Sequence, residues 1–135
     1  MKASRKVVLD TNVFYSIIFR PSDNMNFLLF KILKEHELFV PDVIFNEILN
    51  IANRKNDNGV CKVREFFRLI PHKRLEKIND VAPEMFWIRD PNDYLVLYAS
   101  IVANADVFVT GDKDFLEVEI EKPEILTPRE FLFKY

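Results

Sequence analysis

The sequence predicts an α/β fold: a parallel sheet with helices over both faces. Two observations carry that prediction. Short apolar runs of three to five residues alternate with longer stretches of helical period, the signature of strand–helix–strand units. No repeat, low-complexity tract or Gly/Ser linker interrupts them, and Gly59 and Gly111 are the only glycines. A chain of 135 residues is long enough to bury a real core, and a single domain over residues 1–135 is the simplest expectation.

The elements follow in order. Lys6 to Leu9 reads as a strand and Asn12 to Phe19 as a helix. A second helix runs from Asp23 to His36, started by Ser22 or Asp23 after Pro21. Leu38 to Val40 is a strand that Pro41 should stop, and Asp42 should cap a helix reaching Lys55. The next helix carries Val60, Val63, Phe66, Phe67 and Ile70 and ends at Pro71, before an irregular or extended stretch. Pro91 to Ala103 is a helix, Asp106 to Thr110 a strand, Ile125 to Leu126 a last short strand, and Thr127-Pro128 opens a final helix.

Composition excludes several classes. Apolar residues make up 49% and charged residues 30%, the balance of a globular chain rather than a disordered one. Cys61 is the single cysteine, so no internal disulfide can form, which points to a reducing cytoplasm; with no His partner nearby in sequence, Cys61 reads as a small apolar filler. The basic start, MKASRK, is followed only by Val7 to Leu9 before Asp10, too short for a signal-peptide core. The longest uncharged apolar-rich run, Tyr94 to Ala105, is 12 residues, against the roughly 20 that a membrane span needs. The glycine count also leaves no phosphate-binding loop or dinucleotide fingerprint.

Charge is unevenly spread. The net value is −2, yet residues 54–77 hold Arg54, Lys55, Lys62, Arg64, Arg68, Lys73, Arg74 and Lys77 against Asp57, Glu65 and Glu76, an excess of +5 that leaves −7 elsewhere. Such asymmetry suits a phosphate-binding face beside an acidic site, and equally an ordinary solvated helix surface.

Four carboxylates stand at places where chemistry could gather. Asp10 ends the first strand and Asp112 follows the strand at 106–110, so neighbouring strands would bring both to one sheet edge, where open parallel sheets bind ligands. Each also has a plain role, Asp10 as a helix cap and Asp112 as a loop acid. Asp93, in RDPND, can complete a variant capping box with Asp90 as the cap. Glu47 is placed between Val43 and Ile51, within the apolar arc of its helix, where a carboxylate needs a partner, a metal ion or a proton; a distant lysine would serve as well. Oxygen donors without His or Cys clusters suit Mg²⁺ or Mn²⁺ rather than zinc, and His36 and His72 lack ligand spacing.

The stretches VVLDTNVF, FNEIL, DPNDYLVLYA and VFVTGDKDFL, in that order and spacing, resemble the PIN-domain ribonucleases, most closely the prokaryotic group of toxin components from toxin–antitoxin pairs. The resemblance implies a three-layer α/β/α sandwich, often dimeric, that cleaves single-stranded RNA with Mg²⁺ or Mn²⁺ to leave a 5′-phosphate and a 3′-hydroxyl. It places catalytic acids at Asp10, Glu47, Asp93 and Asp112, with Asp114 as an added metal ligand. Asn12 and Thr110 fall where carboxylates are held by hydrogen bonds, and Asp90 where a supporting or capping partner stands. It also implies an antitoxin protein and a second copy of the chain as partners. Arg54, Lys55, Arg64 and Arg68 are then the candidates for RNA contact. The rival from another class is a PIN-fold module that binds RNA or protein without turnover, with Phe14, Tyr15, Phe19, Phe27 and Phe30 as an apolar surface. A phosphatase with an aspartyl nucleophile is weaker, because Asn12 stands where its second aspartate belongs.

Overall fold

The structure, a computed structural model, describes residues 3–55 and 58–135; Asp57, counted in the basic segment, lies outside them. Five strands, β1 (Lys6–Leu9), β2 (Glu37–Pro41), β3 (Lys73–Leu75), β4 (Val107–Val109) and β5 (Glu124–Leu126), form one parallel sheet in the order β3-β2-β1-β4-β5. The helices are α1 (Thr11–Phe19), α2 (Asp23–Glu35), α3 (Asp42–Lys55), α4 (Gly59–Leu69), α5 (Pro91–Val102), α6 (Lys113–Leu116) and α7 (Pro128–Lys134). Successive residues of a strand point to opposite faces, and Val7, Val8, Leu9, Val107, Phe108 and Val109 are all fully buried. Both faces are therefore covered, and the architecture is a three-layer α/β/α sandwich.

Local chemistry sets the boundaries. Ser22 Oγ accepts from Met25 N at the start of α2, and Thr127 and Glu130 form a reciprocal capping box on α7. Asp90 caps α5 with Pro91 in the first turn. The aromatic Phe14 of α1 meets Phe67 of α4 at 5.2 Å and Phe66 at 6.3 Å, tying the helices that follow β1 and β2 into one buried cluster. His36 is buried with Nδ1 accepting from Arg5 N and its ring edge-on to Phe131, a packing role.

The structure corrects four expectations. Lys73–Leu75, within the stretch expected as irregular or extended and not assigned as a strand, is the edge strand β3; two of its three residues are exposed and charged, so its apolar pattern is lost while its backbone still pairs with Phe39–Pro41. Pro41 ends β2 from within rather than stopping it from outside. Asp42 is the first residue of α3, ion-paired with Arg74 at 3.3 Å, not a cap before it. Cys61 is exposed: α4 buries Gly59, Val63 and Phe67, and Cys61 lies about 200° around the helix from Val63, away from that face.

The topology also marks a place for chemistry. From β1 the chain moves to β2 and β3 on one side, then crosses back to β4 and β5 on the other. The reversal falls between β1 and β4, and a crevice opens there beyond their carboxyl ends.

Candidate metal centre

Asp10 and Thr110 leave β1 and β4 side by side at that crevice. The register pairs Leu9 with Val109, and Asp10 N donates to Val109 O at 2.9 Å. Thr110 is fully buried and fixes two acids at once. Its hydroxyl donates to Asp10 Oδ2 at 2.8 Å, and Asp112 N donates to the same Oγ1 at 3.0 Å. Asp10 Oδ1 accepts from Thr11 N at 2.7 Å, so Asp10 is both the cap of α1 and a member of the site. Asp112 caps α6, a single turn not expected from the sequence, by accepting from Asp114 N at 2.9 Å.

Helix α5 aims its first turn into the same crevice. Asp93 stands there without a side-chain hydrogen bond among the described residues; the capping box expected of it does not form, because Asp90 accepts from Asn92 N instead. Asp93, Asp112 and Asp114 each offer one oxygen within 4.8 Å of the others. Glu47, half-buried on α3, accepts from Asn92 Nδ2 at 2.6 Å and joins the rim of the cluster. Among the described residues its partner is this amide from α5 rather than a distant lysine, the alternative the sequence left open.

Electrostatics records the crowding. Burial pushes Asp10 up to about 6, partly offset by the hydrogen bonds from Thr110 and Thr11, with Glu47 and Asp112 adding repulsion. Asp93 rises further, to about 7, through desolvation and then the charges of Asp90, Asp10, Asp112 and Glu47. The less buried acid is the more perturbed of the two. The reason is partner supply, since Asp10 has two donors and Asp93 has none among the described residues. Such a group of hard oxygen donors, too close to ionise together unaided, fits Mg²⁺ or Mn²⁺. Asp93, Asp112 and Asp114 would hold the ion, with Asp10 and Glu47 around it.

The remaining predicted residues divide. Asp90 is the α5 cap and one of the charges that raise Asp93. Asn12 is exposed on α1 and makes no side-chain hydrogen bond among the described residues, so the holding role falls to Thr110. Arg54 borders an open depression of about 510 Å³ together with Glu47, Asn92 and Asp93. Lys55 is exposed at the end of α3, Arg64 is exposed on α4, and Arg68 is bound to Glu65 beside it. Two residues of the site escaped the sequence reading. Asn92 steadies Glu47, and Arg89 donates twice to Asp114 Oδ2, at 3.1 and 3.0 Å. Both lie in the acid-rich RDPND stretch, and that crowding was the available signal.

A family model described as PIN domain matches residues 7–121. The chain belongs to the PIN domain family. PIN domains are generally nucleases, and the acids gathered here occupy the reversal point of the PIN sheet. Among solved structures, the PIN fold is shared with a chain of VapBC2 from Rickettsia felis, solved bound to a DNA fragment from their promoter. The TM-score is 0.71 at 17% identity, over 90% of this chain and 96% of that one. No curated protein matches the sequence. None of the helices is long and apolar enough to cross a membrane, among the described residues.

Proposed function

We propose that this PIN domain is a metal-dependent endoribonuclease that hydrolyses phosphodiester bonds of single-stranded RNA. The observation that carries the reading is the convergence of Asp93, Asp112 and Asp114 within 4.8 Å, with Asp10 and Glu47 beside them. A bound Mg²⁺ or Mn²⁺ supplies Lewis acidity toward a phosphate oxygen and lowers the pKa of water. The chain's own work is positional. Thr110 locks Asp10 and the Asp112 backbone in one geometry, Asn92 orients Glu47, and Arg89 restrains Asp114. Asp10, Glu47 and Asp114 are thereby held by residues from other parts of the chain, as a preorganised ligand set requires, while Asp93 has no such partner among the described residues.

The same reading makes the protein the toxin of a toxin–antitoxin pair, acting as a homodimer in the cytoplasm with an antitoxin protein as its partner. Its likeness to the toxin-component group supports this, and so does the fold shared with a VapBC2 chain. Cleavage of an end-labelled, unstructured RNA tests the chemistry. Wild type should cut in Mg²⁺ or Mn²⁺, stop in chelator and resume when the ion is restored. Asp10→Asn should fold and not cut. RNA that binds but stays intact under every ion would instead support the non-catalytic module. Sedimentation of the purified chain, alone and co-expressed with the product of the adjacent gene, tests the partners.

A further inference from the structure

The segment between β3 and α5 ends in Phe86-Trp87-Ile88-Arg89-Asp90, and its burial alternates. Trp87, the only tryptophan, is 78% exposed, Ile88 is buried, and Arg89 is exposed again. Trp87 and Arg89 are both exposed, flanking Ile88, which anchors this irregular stretch in the core. Arg89 reaches the acid cluster directly through Asp114. Trp87 therefore stands on the flank of the candidate metal centre, two residues from a side chain that touches it.

This flank is built rather than loose. Tyr94 Oη donates to Ala82 O at 2.6 Å and accepts from Met85 N at 3.2 Å, while Tyr98 Oη accepts from Ala82 N at 3.0 Å. The Phe86 ring stacks on Tyr94 at 4.3 Å. Helix α5, which carries Asp93, thus also fixes the strap that carries Trp87. An indole held in water at this exposure forfeits the burial that tryptophan ordinarily finds, and an aromatic face in water beside a phosphate-handling site has an evident partner in a nucleobase. Arg89 spends two N–H contacts on one oxygen of Asp114, and its remaining N–H groups face solvent.

We propose that Trp87 and Arg89 form a nucleotide clamp at the edge of the acidic site, the indole stacking on a base of single-stranded RNA and the Asp114-anchored guanidinium binding the adjoining phosphate. The clamp rests on the ribonuclease reading for its substrate, and it is sequence-tolerant, because every base has a π-face.

The single tryptophan makes the test direct. The full-length chain in chelator, where cleavage is off, is titrated with oligoadenylate while Trp87 emission is followed. Inorganic polyphosphate serves as a polyanion without bases. The clamp predicts saturable quenching by oligoadenylate and little by polyphosphate. Binding of fluorescein-labelled oligoadenylate should weaken about 5- to 150-fold in Trp87→Ala and be largely rescued in Trp87→Phe. Arg89→Ala should lower the slope of log affinity against log salt by about 0.7. Equal quenching by polyphosphate, or Trp87→Ala binding like wild type, overturns the clamp. Emission that shifts with protein concentration alone would reassign Trp87 to a contact between copies and likewise overturn it. The two readings fail separately. Cleavage in Mg²⁺ with an indifferent Trp87→Ala removes the clamp and leaves the nuclease, whereas quenching by oligoadenylate without cleavage in any ion does the reverse.

Discussion

The two ends of the sheet treat aspartate in opposite ways. At the amino end, Asp106 precedes β4; burial pushes its carboxyl up, but a hydrogen bond from Lys6 N at 2.8 Å and the Lys122 ion pair outweigh that, and the net shift is downward. Glu124 at the start of β5 behaves alike, with Lys134 and Tyr135 as its donors. At the carboxyl end the net shifts of Asp10 and Asp93 run upward. Burial is deepest at Asp10, but depth alone does not separate Asp93 from Asp106, which are both half-buried. Partners do. One end supplies a cation and a further donor to both Asp106 and Glu124, and the other crowds acids around Asp93 with no donor to it among the described residues. A fold that leaves one end short of cations stores unfavourable charge that a divalent ion can relieve.

The largest expected effect is on activity. Asp93→Asn should lower RNA cleavage on the order of 10³-fold, the several kcal/mol that metal assistance contributes to such a reaction. Asp106→Asn, at the opposite end, should cut like wild type per folded molecule. Comparable losses in both variants, measured as initial rates on the same RNA, would erase the distinction between the ends.

Stability should separate them with opposite sign. In chelator near neutral pH, Asp93→Asn removes a repelled charge and should raise stability by about 1–2 kcal/mol, a figure discounted because Asp93 is only half-buried. Asp106→Asn removes a charge that is satisfied and should cost about 1 kcal/mol. The Asp93→Asn protein should also gain less from added Mg²⁺, since stabilisation by a ligand follows its affinity for the folded state. Urea denaturation of the three proteins, with chelator and with Mg²⁺, reads both signs.

The pH dependence follows from the same contrast. Asp10 and Asp93 have folded values of about 6 and about 7, above their ordinary 3.8, so between those limits the native state holds more protons than the unfolded one. Metal-free stability should therefore fall as pH rises from about 4 through about 7. Asp106 and Glu124, shifted down, contribute stability above their ordinary values of 3.8 and 4.5 and lose it only as pH falls further. The slope near neutrality thus belongs to the carboxyl end. A decline of about 1–3 kcal/mol in chelator, shallower in Asp93→Asn and suppressed by Mg²⁺, is the expected profile. A stability that climbs across that range would mean the acids are relieved by something within the chain.

How much of this was legible in the sequence depended on the range of the interaction. Asp10 and Asp112 could be placed because each follows a short apolar run, and parallel pairing of those runs forces the acids together. Thr110 and the α5 acids followed from motif resemblance. The other contacts that steady the site could not be read, because Asn92 meets Glu47 across 45 positions and Arg89 meets Asp114 across 25, and only the resemblance pointed to Thr110, which meets Asp10 across 100. No local period records such pairs. β3 was missed for a related reason: an edge strand held by its backbone need not carry an apolar pattern. Glu47 was placed in the apolar arc of its helix, and the structure finds it there only in part, half-buried and turned toward Asn92.

The smallest effect concerns the basic segment, and it sharpens which cations belong to the acidic end. Sequence treats Arg54, Lys55, Arg64 and Arg68 as one face, but the structure separates them. Arg54 lies at the mouth of the depression that Glu47, Asn92 and Asp93 border, where a phosphate adjoining the scissile one would pass. Arg68 is bound through two of its nitrogens to Glu65, and that pair, fully exposed, adds little to stability and only partly occupies the guanidinium. Arg64 is exposed on the same helix, away from the residues that line the depression. Each phosphate contact with single-stranded RNA contributes about 0.7 to the slope of log affinity against log salt. Arg54→Ala should therefore reduce that slope by about 0.7 and weaken binding several-fold at low salt. The Arg64→Ala, Arg68→Ala double variant should change it by less than Arg54→Ala alone. Binding measured by anisotropy in chelator across a salt titration compares them directly. A larger loss in the double variant would move the RNA path onto α4, and the shortage of cations at the carboxyl end would then be made up from a helix beyond the acid cluster.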